Sequence, residues 1–362
     1  QYFCEGMAEE IINALARIEG LRVAARSSAF QFDPDENDAR AVGEKLGVKT
    51  VLEGSVRTAG NRVRVSVQLV DVDNGFQLWA DRFDREMDDI FALQDEISAR
   101  VVEALKITLG GAAIEEPGRP TQSMDAYHLY LKGQHNWHKR ERGALEKAAS
   151  FFEQAAKKDP SYALAHCGVV NTYSSLALYG LDPEVARVTA DAAVARASES
   201  APGDAETRAA LGLKAAYLDW DWLVAEREFT AAIETDPSYV LAHCWLSIML
   251  SWIGRGEEAV AAAERARTID PLSPYTNTCR GLAMLSSGRP DEAHRALLES
   301  LDIDSDHLYS LWMMTSTLGA LGRTSEAVAV AEKSARLSGH NGFYLGWLAW
   351  ACGIAGQNDR AQ

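Results

Sequence analysis
No stretch of the chain approaches the 18 uninterrupted apolar residues of a membrane-crossing helix, and no basic-then-apolar leader opens it. The expectation is a cytoplasmic region, or an extracytoplasmic one if a membrane span precedes Gln1. The chain starts without Met and stops at Gln362 inside a repeat, which leaves room for a further domain beyond either end. Its five cysteines (Cys4, Cys167, Cys244, Cys279 and Cys352) are odd in number and scattered, with no Cys-x-x-Cys pair. That argues against a disulfide framework or a structural zinc site. Also lacking are a Gly-rich phosphate loop, His-Glu-x-x-His, Gly-x-Ser-x-Gly and every protein-kinase signature. No cofactor, no metal and no catalytic residue is therefore expected. Positive charge is short too: 36 Lys and Arg stand against 52 Asp and Glu, a formal net charge of −16. Such a field repels phosphate backbones and anionic lipid, so nucleic-acid binding through this region is disfavoured. Apolar residues make up 47% of the 362, enough for a substantial core.

What is present is a rhythm. Gly254, Gly288, Gly322 and Gly356 recur every 34 residues, opening Gly-Arg-Gly-Glu-Glu-Ala, Gly-Arg-Pro-Asp-Glu-Ala, Gly-Arg-Thr-Ser-Glu-Ala and Gly-Gln-Asn-Asp-Arg-Ala. Each unit has an apolar run, the Gly turn, an Ala-rich run, and then an Asp step at Asp236-Pro237, Asp270-Pro271 or Asp304. Gly closes one helix and Pro cannot continue the next, so each unit reads as a helical hairpin. The period resembles that of tetratricopeptide repeats. Upstream the rhythm loosens. The step Asp159-Pro160-Ser161-Tyr162 returns 77 residues later as Asp236-Pro237-Ser238-Tyr239, so the repeat at about 161–203 must hold about nine extra residues, expected around Tyr179–Pro183. In the next, from about 204, Asp219-Trp220-Asp221-Trp222 replaces the Gly turn.

The first hundred residues differ. Met7, Ile11, Leu15 and Ile18 share a helical face; Leu21–Arg26 reads as a short buried strand, Ser27-Ser28 as a loop, and Asp38–Leu46 as a helix closed by Gly47. Val51–Arg57 and Arg62–Asp71 flank Ala59-Gly60-Asn61, a hairpin signal, and Asp73-Asn74-Gly75 turns the chain into a third arm, Phe76–Arg82. Leu93, Ile97, Val101 and Leu105 follow helical spacing again. The stretch 110–122, with Pro117, Gly118 and Pro120, reads as a linker.

Several segments carry a resemblance: Tyr2-Phe3-Cys4-Glu5-Gly6-Met7-Ala8-Glu9-Glu10-Ile11-Ile12, Leu21-Arg22-Val23-Ala24-Ala25-Arg26-Ser27-Ser28, Leu52-Glu53-Gly54-Ser55-Val56-Arg57 and Phe91-Ala92-Leu93-Gln94-Asp95-Glu96-Ile97. Together they resemble the TolB amino-terminal-like domain of bacterial signalling proteins. The resemblance implies a domain followed by tetratricopeptide repeats and attached to a variable effector: a serine/threonine kinase, a class III adenylate cyclase or a winged-helix regulator. It also implies an apolar strand before Tyr2 that this chain lacks. The expected architecture is an α/β amino-terminal domain at 1–110, a linker at 111–123, and an all-α tetratricopeptide-repeat solenoid of about six and a half repeats at 124–362, a right-handed superhelix of hairpins.

Candidate chemistry is sparse. His128, His135 and His138 form the one local histidine cluster, but no third ligand type is positioned to complete a metal site. His166-Cys167 and His243-Cys244 fall at one repeat position and are better explained by the repeat than as catalytic dyads. Glu53, Arg57, Arg64, Asp81 and Arg82 read as the wet face of the sheet. If first helices line a groove, as in tetratricopeptide proteins, counting from the Gly turns puts Cys244, Ile248, Tyr275, Thr278, Leu282, Tyr309, Trp312, Ser316 and Trp350 near it. That apolar, aromatic lining implies a protein or peptide segment as partner, from another protein, the same polypeptide or a homodimer mate. Equally open is that these faces pack on neighbouring repeats. The region then reads as a non-catalytic scaffolding and sensing module. The alternative is a small-molecule-sensing or enzymatic α/β domain with the repeats as oligomerisation arm.

Overall fold
The computed structural model describes residues 6–9, 11, 12, 15, 21, 23–32, 38–60, 62–86, 93, 96, 97, 99–101, 103, 104, 121–357 and 359. The chain forms two compact units, 1–131 and 132–362.

In the first unit β1 (Thr50–Ala59), β2 (Arg62–Asp71) and β3 (Gln77–Glu86) form an antiparallel sheet in the order β1-β2-β3. The first ladder runs from Thr50 opposite Asp71 to Ala59 opposite Arg62 and closes at Gly60, whose φ is 59°. Glycine takes that left-handed conformation without strain. At the second turn the Asp71 and Asn74 side chains accept from the amides of Asn74 and Phe76, at 3.1 and 2.8 Å. Along β2, Val63, Val65, Val67 and Leu69 are buried while Arg62 and Arg64 are exposed, the alternation of a sheet wet on one face. β3 runs past the expected Arg82 to Glu86, because Phe83 continues the buried face opposite Val65.

Two short helices accompany the sheet, α1 (Arg26–Ala29) and α2 (Ala39–Leu46). Asp38 caps α2 through the Ala41 amide at 2.8 Å and Gly47 ends it with φ 66°. A Cβ on Gly43 would come within 2.1 Å of Val72, so α2 lies close against the end of β2. The strand expected at Leu21–Arg26 is absent among the described residues of that stretch, and Ser27-Ser28, expected as a loop, lie in α1. A short apolar run becomes a strand only beside a free edge. Here the Ser28 and Ala29 amides bond instead to the Ala25 carbonyl, and Arg26 pairs with Glu9 at 3.2 Å. The described helical residues at 6–15 and 93–104 bury Met7, Ile11, Leu15, Leu93, Ile97 and Val101, as their spacing predicts. Ile18, Leu105, most of the linker and the position of a strand before Tyr2 lie outside the described residues.

The remaining helices pair in sequence: α3 (Met124–Trp137) with α4 (Arg142–Lys158), α5 (Ala163–Leu178) with α6 (Pro183–Ser200), and α7 (Ala205–Lys214) with α8 (Trp222–Thr235). Then come α9 (Val240–Trp252) with α10 (Gly256–Ile269), α11 (Pro274–Ser286) with α12 (Pro290–Ile303), and α13 (Leu308–Ala320) with α14 (Thr324–Leu337); α15 (Gly342–Ile354) follows. Each regular turn holds its Gly at positive φ, 78° at Gly254 and 72° at Gly288 and Gly322. The next amide reaches five residues back, Arg255 to Leu250, Arg289 to Met284 and Arg323 to Leu318, each at 2.9 Å. That bond satisfies a carbonyl the helix end would leave orphaned.

Two of the three irregular repeats solve the same turn with a residue other than Gly. Arg140, Gly180 and Trp220 occupy the left-handed position, with φ of 54°, 86° and 57°. Before Trp220 a π turn, Ala215–Asp219, takes one extra residue, and Asp221 then caps α8 through the Val224 amide at 3.1 Å. The extra residues of the second repeat do not gather at Tyr179–Pro183 as expected. They lengthen its helices: α5 and α6 have 16 and 18 residues against 13 and 14 in α9 and α10. One more turn of about 3.6 residues returns the same face, so the buried stripe keeps its register.

Packing between helices pairs a hole with a knob. A Cβ on Gly133 or Gly168 would lie 2.5 or 2.6 Å from the Phe152 ring; on Gly212, 2.8 Å from Phe229; on Gly281, 2.7 Å from Leu297. Ala259, Ala293 and Ala327, spaced by the period, are buried where the hairpin helices cross.

Candidate functional site
The first helices of successive hairpins carry a connected row of rings. Tyr275 meets Tyr309 at a centroid distance of 5.8 Å, Tyr309 meets Trp312 at 5.4 Å, Trp312 meets Trp347 at 5.5 Å, and Trp347 meets Trp350 at 5.3 Å. Phe343 stands edge-on to Trp312 at 4.7 Å. The row exists because the 34-residue period returns an aromatic residue to the same helical face at Tyr275, Tyr309 and Phe343, while i, i+3 spacing adds Trp312 and Trp350.

The nine residues expected near a groove divide sharply. Cys244, Ile248 and Thr278 are 0, 2 and 0% exposed. They do not line an open surface, and this corrects the expectation for those three. Tight stacking of first helices closes over them: Thr278 Oγ1 lies 2.6 Å from Ser310 Oγ of the next repeat and donates to the Pro274 carbonyl. Tyr275, Leu282, Tyr309, Trp312 and Ser316 are half-buried, and Trp350 is 40% exposed. A Cβ on Gly319 would lie 2.5 Å from the Trp350 ring, so the indole rests on that bare backbone. Among the described residues the buried Trp312 Nε1 has no hydrogen-bond acceptor.

The array also folds back on itself within the second unit. Tyr179 of the second repeat reaches Phe343 and Tyr344 at 5.9 and 6.5 Å, and its hydroxyl donates to the Arg140 carbonyl at 3.0 Å. A cavity of about 110 Å³ opens at this junction, lined on one side by Arg142 and Tyr179 and on the other by Leu308, Asn341 and Tyr344. Arg140, from the first turn, lies over Trp137 at 3.5 Å and over Tyr275 at 4.6 Å. Sequence reasoning missed Arg140, Tyr179, Phe343 and Trp347. The spacing of Phe343, Trp347 and Trp350 on one helix was a usable signal for two of them. Nothing local could place Arg140 beside Tyr275.

Acid–base chemistry is not favoured by this environment. Burial raises the Tyr217, Tyr275 and Tyr309 hydroxyls above the ordinary tyrosine value, raises Cys279 well above its own, and pushes the Cys167 thiol up to about 12. A protonated thiol is no nucleophile. His166 and His243 bond through Nε2 to the Pro160 and Pro237 carbonyls, both at 3.0 Å, and Asn277 reaches the Pro271 carbonyl in the same way at 2.9 Å. Their shared position ties down the inter-repeat turn, as the repeat predicts. On the sheet, Arg64 pairs with Asp84 at 2.8 Å and Gln68 donates to Glu53 at 2.7 Å, each directly across the ladder. The hydrogen bond from Arg64 holds the Asp84 carboxyl below the usual range. Among the described residues no three His, Cys, Asp or Glu side chains converge as a metal site would require, and no described helix is long and apolar enough to cross a membrane.

These hairpins stack nearest-neighbour fashion, on a strict 34-residue beat from Val240 onward. The helical pairs have the fold of tetratricopeptide repeats. No protein-family model matches the chain. Over 259 residues it is 33% identical to a Rhizobium meliloti (strain 1021) protein named "Putative adenylate cyclase 3", covering 71% of this chain and 38% of that protein. Over 138 residues it is 36% identical to "Regulatory protein AfsR" of Streptomyces griseus, covering 35% of this chain and 14% of that one. The chain thus spans less than two fifths of the curated relatives it matches. Among solved structures it is similar to a thermophilic tetratricopeptide-repeat protein of Thermus thermophilus, at a TM-score of 0.45 and 18% identity, covering 53% of this chain and 98% of that one. The tetratricopeptide assignment rests on period and hairpin geometry rather than on that likeness.

Proposed function
We propose that this region is a non-catalytic, protein-binding scaffold and sensing module of a bacterial signalling or regulatory protein. Residues 124–362 form the binding solenoid, 111–123 the linker, and 1–110 a sensing domain of the TolB amino-terminal-like kind. The observation that carries the reading is the aromatic row from Tyr275 to Trp350. It is half-buried along its length, ends in an exposed indole, and holds at Trp312 an indole N–H without an acceptor among the described residues. Exposed rings backed by a rigid scaffold supply large contact area at low entropic cost. An apolar extended or helical segment is the partner this row suits. Similarity to a protein named for adenylate cyclase and to one named as regulatory supports an effector, a nucleotide cyclase among the candidates, elsewhere in the whole protein.

The test is selection of a random peptide library on the full chain, with Trp350→Ser and Trp347→Ser proteins as counter-selection. Enrichment of apolar peptides that bind the parent and lose about tenfold or more on either variant is expected. Peptides binding parent and variants alike would refute the row as the site. A stoichiometric dimer lost on Trp350→Ser in native mass spectrometry would make the row an oligomerisation surface instead.

A further inference from the structure
The turn of the third repeat departs from the regular turns at four positions at once. One 34-residue step before Gly254, Arg255, Glu257 and Glu258 stand Trp220, Asp221, Leu223 and Val224. In the regular turns the Arg pairs with the Glu three residues on: Arg255 with Glu258 at 2.6 Å, and Arg289 with Glu292 and Arg323 with Glu326 at 2.7 Å. The third turn gives up that pair and puts large apolar side chains into water. Trp220 is 71% and Leu223 83% exposed, and Trp252, whose ring lies 6.3 Å from that of Trp222, is 44% exposed.

This surface is held in place from below. The buried Lys214 pairs with Asp219 of the π turn at 2.6 Å and with Asp191 of α6 at 2.5 Å, while Asp221 caps α8. The rings brace one another, Trp220 edge-on to Trp222 at 5.6 Å and Trp252 against Tyr217 at 4.8 Å. Trp220 keeps a φ of 57°, so the chain gives up stability to hold an indole in water. Nothing in the hairpin requires that, since glycine makes the same turn at Gly254, Gly288 and Gly322.

Charge says what the platform suits. Between Lys214 and Arg227 the chain carries three carboxylates, Asp219, Asp221 and Glu226, and no basic residue. The cations that reach these carboxylates are each outnumbered: Lys214 by Asp191 and Asp219, Arg255 by Glu226 and Glu258. An indole face rimmed by carboxylates attracts a cation, and a guanidinium stacks on such a face with its N–H edge free for a carboxylate. The same rim repels itself across a two-fold contact, and it repels anionic lipid. We propose that the third turn is a docking platform for a basic, Arg-bearing segment of a partner protein. A guanidinium lies on Trp220 against Asp221, and an adjoining apolar side chain covers Leu223 and Trp252. The platform uses no residue of the row from Tyr275 to Trp350, and it stands or falls separately from the scaffold reading.

The probe is acetyl-Leu-Arg-Leu-Arg-Leu-amide, with citrulline in place of both arginines as its uncharged counterpart, titrated calorimetrically into the full 362-residue chain. Binding of the Arg peptide at least about tenfold tighter than of the citrulline peptide is expected, weakening as salt rises. The double substitution Trp220→Gly with Leu223→Glu, and separately Asp221→Arg, introduces the residue types of the next repeat, so both variants keep the hairpin, which circular dichroism checks. Each should lower the affinity for the Arg peptide about tenfold or more. Because Leu223→Glu adds negative charge, a loss in the double variant reports the apolar surface and not the field. Arg and citrulline peptides binding alike, equal affinity for parent and double variant, or no binding at millimolar concentration overturns the proposal. Loss on Trp350→Ser with retention on the double variant moves the peptide to the row of rings and rejects the platform. A dimer in native mass spectrometry that is lost on the double variant makes a second copy the occupant and overturns the basic partner.

Discussion

The two halves of the repeat array use one hairpin plan with different tolerances. From Val240 onward every unit has 13- and 14-residue helices, a Gly turn and the same five-residue closing bond. From Met124 to Thr235 helix lengths vary, a π turn intrudes, and Arg140 and Trp220 stand where Gly would sit. The comparison teaches that the period belongs to the turn conformation and not to glycine. The irregular half keeps left-handed turns with side chains that find them costly, by roughly 1 kcal/mol each. In exchange it carries features of its own: Arg140 stacked over two rings and the 71% exposed ring of Trp220. Such strained positions mark where a generic scaffold has been specialised.

The largest expected effect tests whether the irregular half is as firmly packed as the regular one. Phe152→Ala empties the space between Gly133 and Gly168 and should cost about 3–5 kcal/mol in urea unfolding, against about 2–5 for Leu297→Ala at the corresponding contact with Gly281. A loss under about 1 kcal/mol at Phe152 alone would show that the first repeats open independently.

A smaller effect falls on the regular half. Burial pushes His307 from 6.5 down to about 4, with Asp304 opposing the shift and Arg140 adding to it; its Nδ1 lies 2.5 Å from Ser310 Oγ. The neutral ring is the folded form. The stabilisation is therefore complete above the unfolded value and declines as pH falls from about 6.5 toward 4. At pH 5 the loss should reach about 2 kcal/mol at most. Thermal melting across pH 4–7 on the parent and His307→Asn checks this, the variant showing the flatter profile.

The smallest effect addresses the turns directly. Trp220→Gly should stabilise by about 1 kcal/mol, since it relieves the left-handed strain and removes a ring that is mostly in water, whereas Gly254→Ala should cost about as much. Equal and negligible changes at both sites would erase the distinction between the halves. A stability gain at Trp220 accompanied by lost peptide binding would sharpen it.

Much of the regular half was legible. Four glycines in matched contexts, with Asp steps at Asp270 and Asp304 between them, specify hairpin, turn and period together, and positive φ at each Gly confirms the reason glycine is there. The β1–β2 hairpin was equally plain, because alternation from Val63 to Leu69 and a Gly turn agree on one register. Leu21–Arg26 misled because a strand depends on a neighbouring edge that no local pattern encodes. Cys244, Ile248 and Thr278 misled for a related reason. Position within a repeat says which way a side chain points, but the closeness of the next helix decides whether water reaches it. The aromatic row was half visible: counting from the Gly turns named Tyr275, Tyr309, Trp312 and Trp350, while Phe343 and Trp347 were passed over although period and helical spacing carry them.

By itself the sequence determined the 34-residue hairpin, the buried face of each helix and the amphipathic sheet, because those follow from periodicities of 3.6 and 2 and from where Gly and Pro are tolerated. Only the tertiary structure decided that the second repeat lengthens its helices, that Trp220 accepts a glycine's conformation, and that Tyr179 reaches Phe343 while Arg140 reaches Tyr275. Those contacts join residues more than a hundred positions apart. They arise from the accumulated rotation of stacked hairpins, which no single repeat contains.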